Sequence, residues 1–117
     1  MVPIYNVAGA AQLRFSPAIL VGIYSGRITY WNDPLIAVCN PRTNLPNEPI
    51  TAIHRSDLCA ATFVFTDYLS KISADWQQTV GKGTSVNWPV GLGAKGNEGV
   101  VGLDKQAPGT IGFVDYL

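Results

Sequence analysis

The segment of residues 50–69 constrains the fold of this chain more than any other part of its 117 residues. It begins with a short apolar run at residues 50–53 and continues through four polar residues, from His54 to Asp57. Such a run followed by a polar turn predicts a buried strand that ends near Arg55. From Ala60 onward, apolar residues recur at three- and four-residue spacing, which is typical of one helix face packed on a core. These apolar residues are Ala61, Val64, Phe65, Tyr68 and Leu69.

A strand that enters a helix through a polar turn has a chemical consequence. The first backbone N–H groups of the helix have no acceptor within it, and the positive end of the helix dipole lies at the same point. Such a point favours an anion. Arg55 lies just ahead of it and adds a full positive charge that can form charge-assisted hydrogen bonds. The segment therefore predicts an anion-binding site at this turn.

Composition excludes several classes of protein. Eight basic and eight acidic residues cancel, whereas nucleic-acid and membrane-surface proteins need a basic excess. Apolar residues make up 47% of the chain, enough for one folded domain over residues 1–117. The longest apolar stretch, near residues 17–24, is shorter than the roughly 20 residues of a membrane span. No leader is visible, so we expect that a leader or a larger parent has been removed.

The remaining pattern predicts strands that alternate with helices. Ser16 before Pro17 and Asp33 before Pro34 each pair a capping side chain with a proline at the first helical position. Helices are predicted over residues 18–24, 34–39, 60–72, 73–80 and 98–106, the last capped by Asn97. Strands are predicted over residues 2–7, 50–53, 85–90 and 110–116, and residues 91–96 are predicted to form a glycine loop. This alternation indicates an α/β fold with a mostly parallel sheet.

Several patterns suggest other chemistry. Cys59 at a helix start, with His54 nearby, could be a thiol nucleophile. Cys39 and Cys59 could form a disulfide if their alpha carbons lay within about 7 Å, but we interpret them as free, partly buried thiols. With the single His54 they do not complete a four-ligand zinc site.

The glycine loop matches the G-x-G-x-x-G spacing of dinucleotide-binding turns at Gly91, Gly93 and Gly96, with Asp115 further along the chain. Because the chain ends soon after Asp115, a complete nucleotide domain does not fit. We interpret these glycines as serving turns and helix packing.

The tryptophans and several tyrosines could line a binding face, but we interpret most of them as core and loop anchors. They are Trp31, Trp76, Trp88, Tyr24, Tyr30, Tyr68 and Tyr116.

Five motifs, in order, carry a resemblance to a known family. They are IYSGRITYWNDPLIA at residues 23–37, the proline loop at 40–46, HRSD with TFVFTDYLSK within 54–71, GKGTSVNWPVGLGAKGNEGV at 81–100 and PGTIGFVDY at 108–116. The chain resembles the second lobe of the periplasmic phosphate-binding proteins that serve the phosphate ABC transporter, a family of type II periplasmic binding proteins. The resemblance implies a secreted α/β lobe, periplasmic or extracellular, with a mostly parallel sheet flanked by helices. It implies solute binding for phosphate transport, with no enzymatic activity and no cofactor.

The resemblance also implies which residues contact the anion and what is missing. The family pattern is an arginine, an acidic residue two positions later, and then a Gly-Ser-Gly-Thr turn. Arg55 and Asp57 match the arginine and the acid, but the turn reads Leu-Cys-Ala-Ala. The implied, degenerate site consists of Arg55, Ser56, Asp57, Cys59, Ala60, Ala61 and Thr62. The family's first lobe, which supplies the other half of the pocket, is absent, and that lobe and a transporter permease are the implied partners.

The altered turn weakens the predicted site. Hydrogen bonds to charged groups contribute about 1.5–3 kcal/mol each, so losing two hydroxyls at Cys59 and Ala61 costs about 3–6 kcal/mol, or two to four decades of affinity. We therefore expect phosphate or another small oxyanion to bind weakly or not at all. Arg55 and Asp57 could be an anion clamp or an ion pair that holds the turn. The alternative function is an extracellular structural, adhesive or assembly domain that uses its open face for protein contacts, including a homo-oligomer.

Overall fold

A computed structural model describes residues 2–9 and 12–114 and shows a four-stranded sheet. The strands are β1 (Val2–Tyr5), β2 (Thr51–Arg55), β3 (Leu92–Ala94) and β4 (Thr110–Val114). Their order is β1-β4-β2-β3; β2 is parallel to both β3 and β4, and β1 is antiparallel to β4. The predicted α/β fold with a mostly parallel sheet is confirmed.

The described part of the chain contains five helices. They are α1 (Pro17–Tyr24), α2 (Pro34–Cys39), α3 (Ala60–Ile72), α4 (Ala74–Thr79) and α5 (Gly96–Gln106). Ser16 and Asp33 cap α1 and α2 as predicted, and Ser73 caps α4. Each accepts a hydrogen bond from an N–H group in the first turn. Such caps satisfy donors that the helix itself leaves without acceptors. Among the described residues, no helix is both long and apolar enough to cross a membrane.

The two faces of the sheet have separate cores. On one face, α5 packs through Val100 against Ile53 of β2 and Val114 of β4. Gly112 of β4 allows this approach, since a Cβ atom there would lie 2.6 Å from Cγ1 of Val100. The larger core, on the other face, contains Phe113 of β4 and residues of α1 and α3. All of β4 is buried between these cores.

Most of the aromatic residues are core anchors, as interpreted from the sequence. Trp31 is fully buried and donates its indole N–H to the carbonyl oxygen of Gly109 at 3.0 Å. Tyr24 is buried and donates its hydroxyl to the carbonyl oxygen of Ile53 at 3.0 Å. Trp76 is also buried, whereas Tyr30 and Tyr68 are exposed. Asp115 and Tyr116, including the end of the predicted strand 110–116, lie outside the described residues.

The prediction for residues 85–96 was wrong in two places. Residues 85–90 form no strand. Trp88 within them instead contacts an aromatic cluster that includes Tyr24 and Phe65. The predicted glycine loop contains β3, which pairs with β2. Gly91 lies at φ +104°, and a Cβ atom there would collide with the carbonyl oxygen of Ala52. Glycine therefore lets the backbone approach β2 closely.

Candidate functional site

The turn between β2 and α3 is fixed by backbone hydrogen bonds to two neighbouring segments. The N–H of Ser56 donates to the carbonyl oxygen of Ala94 in β3 at 3.0 Å. The N–H of Cys59 donates to the carbonyl oxygen of Thr84 at 3.2 Å. The side chain of Ser56 is exposed between these two points. The turn therefore holds one geometry while presenting a hydroxyl to solvent.

Arg55 and Asp57 form a bidentate ion pair at this turn. Nε of Arg55 donates to Oδ1 of Asp57 at 2.8 Å, and Nη2 donates to Oδ2 at 2.7 Å. The Arg55 side chain is 9% exposed and the Asp57 side chain 29%. The hydrogen bonds from Arg55, and then the one from the Gly96 N–H, hold the pKa of Asp57 far below its ordinary value. The structure thus shows the ion-pair interpretation, while the anion clamp stays a prediction.

The start of α5 completes this cluster and corrects the predicted role of Asn97. Lys95 occupies the N-cap position without a side-chain hydrogen bond, and the helix begins at Gly96. The N–H of Gly96 donates to Oδ1 of Asp57 at 3.2 Å, so a carboxylate from another element binds the helix start. Oδ1 of Asn97 accepts a hydrogen bond from Nη1 of Arg55 at 3.1 Å. Sequence reasoning missed these contacts because they join residues about 40 positions apart, with no local signal.

The thiol of Cys59 is directed toward its own helix. Its sulfur accepts a hydrogen bond from the Thr62 N–H at 3.4 Å and lies 3.1 Å from Oγ1 of Thr62. Thr62 and Ala61 are buried, while Ala60 is exposed. The first amides of α3, at Ala60 and Ala61, have no acceptor within the helix, so their donors lie at the positive end of the helix dipole.

The structure gives Cys59 and His54 different partners. The His54 ring stacks on Trp88, and its Nδ1 lies 3.3 Å from the carbonyl oxygen of Arg55. Burial lowers the pKa of His54, and the hydrogen bond with the Arg55 backbone opposes that shift in part.

Cys39 and Cys59 are free and half-buried, as interpreted from the sequence. The described residues contain no group of three or more histidine, cysteine or acidic side chains that could hold a metal ion.

Known proteins match nearly the whole of this chain. The family model of the PBP superfamily domain matches residues 1–116. The phosphate-binding protein PstS of Pasteurella multocida is 47% identical over 117 residues, covering 98% of this chain and 34% of that protein. The protein of the same name from Methanocaldococcus jannaschii is 41% identical over 120 residues, covering 95% of this chain and 31% of that protein.

A solved structure shows the same fold. It is that of a high affinity periplasmic phosphate-binding protein bound with phosphate, and it superposes with a TM-score of 0.70 at 29% sequence identity. The match covers 96% of this chain and 30% of that one. The chain therefore spans about a third of the length of the proteins it matches.

Proposed function

This chain belongs to the PBP superfamily, and from that membership we propose that it is a solute-binding lobe that binds phosphate or another small oxyanion weakly at the start of α3. Curated relatives that align with nearly all of it are phosphate-binding proteins by name. The observation that carries the proposal is the guanidinium of Arg55, which lies at the end of β2 beside the turn that opens α3. Its side chain is 9% exposed and held in a bidentate pair.

Weak binding follows from the groups that remain at the turn. The Cys59 sulfur contacts Thr62, and Ala61 carries no hydroxyl. Two lost donors to a charged ligand correspond to about 3–6 kcal/mol. Arg55, the first amides of α3 and the hydroxyl of Ser56 remain as donors. These groups support millimolar binding of a small oxyanion.

In our proposal, partners supply the other half of the pocket and receive the anion. A first lobe supplies further contacts to the anion, and a permease of an ABC transporter receives it. The 117 residues form one domain that acts outside the cytoplasm, in the periplasm or as part of a secreted protein. The supporting observations are the one-third coverage of the relatives and the word periplasmic in the name of the matched structure. Binding, and not catalysis, is the activity that this arrangement supports.

Isothermal titration of phosphate into the purified chain tests the proposal. We expect a weak, saturable heat that Arg55→Lys reduces, because lysine cannot reproduce the bidentate contact with Asp57. Arg42→Lys, in an exposed turn, is the matched control and should leave the heat unchanged. Absence of saturable heat at tens of millimolar phosphate, with a folded protein, would contradict anion binding.

An apolar groove favours a second candidate, a domain that assembles through protein contacts. The groove has a volume of about 340 Å³ and is lined by α1, α3, β1 and β4. Its lining residues within the described chain carry no charge, and Val64 and Tyr68 on α3 are 52% and 40% exposed. An uncharged patch can face its own copy without repulsion. In sedimentation, a concentration-dependent dimer that Tyr68→Glu removes would support this candidate, and a monomer at every concentration would contradict it.

A further inference from the structure

Asn97, at the start of α5, contacts the one cation that the proposed site uses. Its Oδ1 accepts a hydrogen bond from Nη1 of Arg55 at 3.1 Å, across 42 positions of sequence. We propose that Asn97 is a positioning residue that orients the Arg55 guanidinium for the anion. This inference rests on the proposed function and adds to it a residue outside the segment 55–62, which holds the implied anion-site residues.

The contacts of Arg55 show how the orientation is set. Asp57 accepts from Nε and Nη2, which holds one edge of the planar guanidinium. Asn97 accepts from Nη1, on another side of the same plane. A planar group held along two sides cannot turn about its Nε–Cζ bond without breaking a hydrogen bond. Binding of an oxyanion by a guanidinium depends on such an orientation.

The start of α5 holds Asn97 in place. The N–H of Gly96 donates to Oδ1 of Asp57 at 3.2 Å, which joins α5 to the turn that carries Arg55. Asp57 therefore binds both the guanidinium and the helix start, and Asn97 follows Gly96 directly. Because a backbone N–H anchors the helix, the Asn97 side chain is not required as the cap of α5.

The chemistry of an amide suits this position better than a carboxylate. Arg55 and Asp57 together carry no net charge, so an anion nearby meets a polar but neutral pair. A second carboxylate at position 97 would also accept from Nη1, but it would add a negative charge that repels the anion. Asparagine supplies the acceptor without that charge.

Two substitutions separate positioning from folding. Asn97→Ala removes the acceptor, and we expect phosphate affinity to fall by about two- to tenfold, the loss of roughly one hydrogen bond. Asn97→Asp keeps the acceptor and adds charge, and we expect affinity to fall by about tenfold or more. We expect Asn97→Asp to unfold at the same or a higher urea concentration than Asn97→Ala, because a carboxylate in the first turn stabilises a helix.

Asn32, an exposed residue ahead of α2, provides the matched controls. Asn32→Ala and Asn32→Asp repeat both chemical changes, including the change in net charge, and should leave phosphate affinity unchanged. Equal affinity of Asn97→Ala and the unmodified chain would overturn the inference. So would a loss in Asn97→Ala that Asn32→Ala reproduces.

A second measurement does not depend on anion binding. Nitrogen NMR of the arginine side chains reports rotation about the Nε–Cζ bond of Arg55. We expect faster rotation in Asn97→Ala than in the unmodified chain or in Asn97→Asp, and equal rates in all three would overturn the inference. If the unmodified chain binds no phosphate but the rotation rates differ as expected, the proposed function is wrong. The positioning of Arg55 by Asn97 then stands, but its role in binding an anion does not.

Discussion

The imidazole of His54 stacks on the indole of Trp88, with ring centroids 4.9 Å apart and 12° between the planes. Burial lowers the pKa of His54 below its ordinary value of 6.5. Between the lowered folded pKa and 6.5, the unfolded chain binds more protons at this residue than the folded protein does. The free energy of unfolding should therefore rise with pH across that window and level off above it.

Urea unfolding between about pH 5.5 and 7.5 measures this effect, since histidine is the side chain that titrates there. His54 is the chain's single histidine, so His54→Gln should remove the slope even where it lowers stability at every pH. A slope of equal size in His54→Gln would contradict the prediction. In the folded protein, Trp88 fluorescence should change with a midpoint at the lowered pKa of His54, because protonation alters its stacked partner.

Acidic pH should weaken the cluster around Asp57. Its pKa lies far below the ordinary 3.8, chiefly through the hydrogen bonds from Arg55. This depressed pKa contributes stability that is present above pH 3.8 and is lost as the pH falls toward the folded pKa. We expect the free energy of unfolding to decline less steeply below pH 3.8 in Asp57→Asn than in the unmodified chain. Asp75→Asn, on the exposed side of α4, should keep the unmodified decline, and an equal change in both variants would contradict the prediction.

Two glycines should respond in opposite directions to alanine. A Cβ atom at Gly112 would lie 2.6 Å from Cγ1 of Val100, so Gly112→Ala should lower the free energy of unfolding by about 1–3 kcal/mol through overpacking. A Cβ atom at Gly102, inside α5, meets no atom within 4 Å. Gly102→Ala should raise the free energy of unfolding by about 0.5–1 kcal/mol, because glycine is unfavourable within helices. Urea unfolding of both variants measures this, and destabilisation by Gly102→Ala would contradict the packing of α5 described here.

Replacement of the thiol at the start of α3 should stabilise the helix. The Cys59 sulfur accepts the Thr62 N–H at 3.4 Å, and sulfur is a weak acceptor. A serine hydroxyl in the same position is a preferred N-cap, so Cys59→Ser should raise the free energy of unfolding by up to about 1 kcal/mol. Cys39→Ser, at the end of α2, makes the same chemical change without a cap and should not stabilise. Greater destabilisation at Cys59 than at Cys39 would contradict the capping role.

Local signals in the sequence predicted much of the fold. Ser16 and Asp33, each followed by proline, mark the starts of α1 and α2, because a cap and the first turn lie within a few residues of each other. The apolar spacing after Ala60 predicted α3 to its end at Ile72. These elements depend on neighbouring residues, so the sequence pattern was sufficient.

The elements that the sequence did not predict depend on distant residues. Strand β3 has the sequence Leu-Gly-Ala, with little strand propensity, and it forms by pairing with β2 about 40 positions earlier. The contact between Arg55 and Asn97 depends on the same pairing, which brings the start of α5 to the end of β2. No local pattern reports that proximity. The orientation of the Cys59 sulfur toward Thr62 likewise has no local pattern that reports it.

A residue-resolved NMR titration tests the central claim most directly. Phosphate is added to the nitrogen-labelled chain, and sulfate and chloride at equal ionic strength serve as comparisons. We predict saturable shifts, at millimolar phosphate, of the backbone amides of Ala60 and Ala61 and of the Nε signal of Arg55. Shifts that are absent at these three groups, or that chloride reproduces at equal ionic strength, would contradict an oxyanion site at the start of α3.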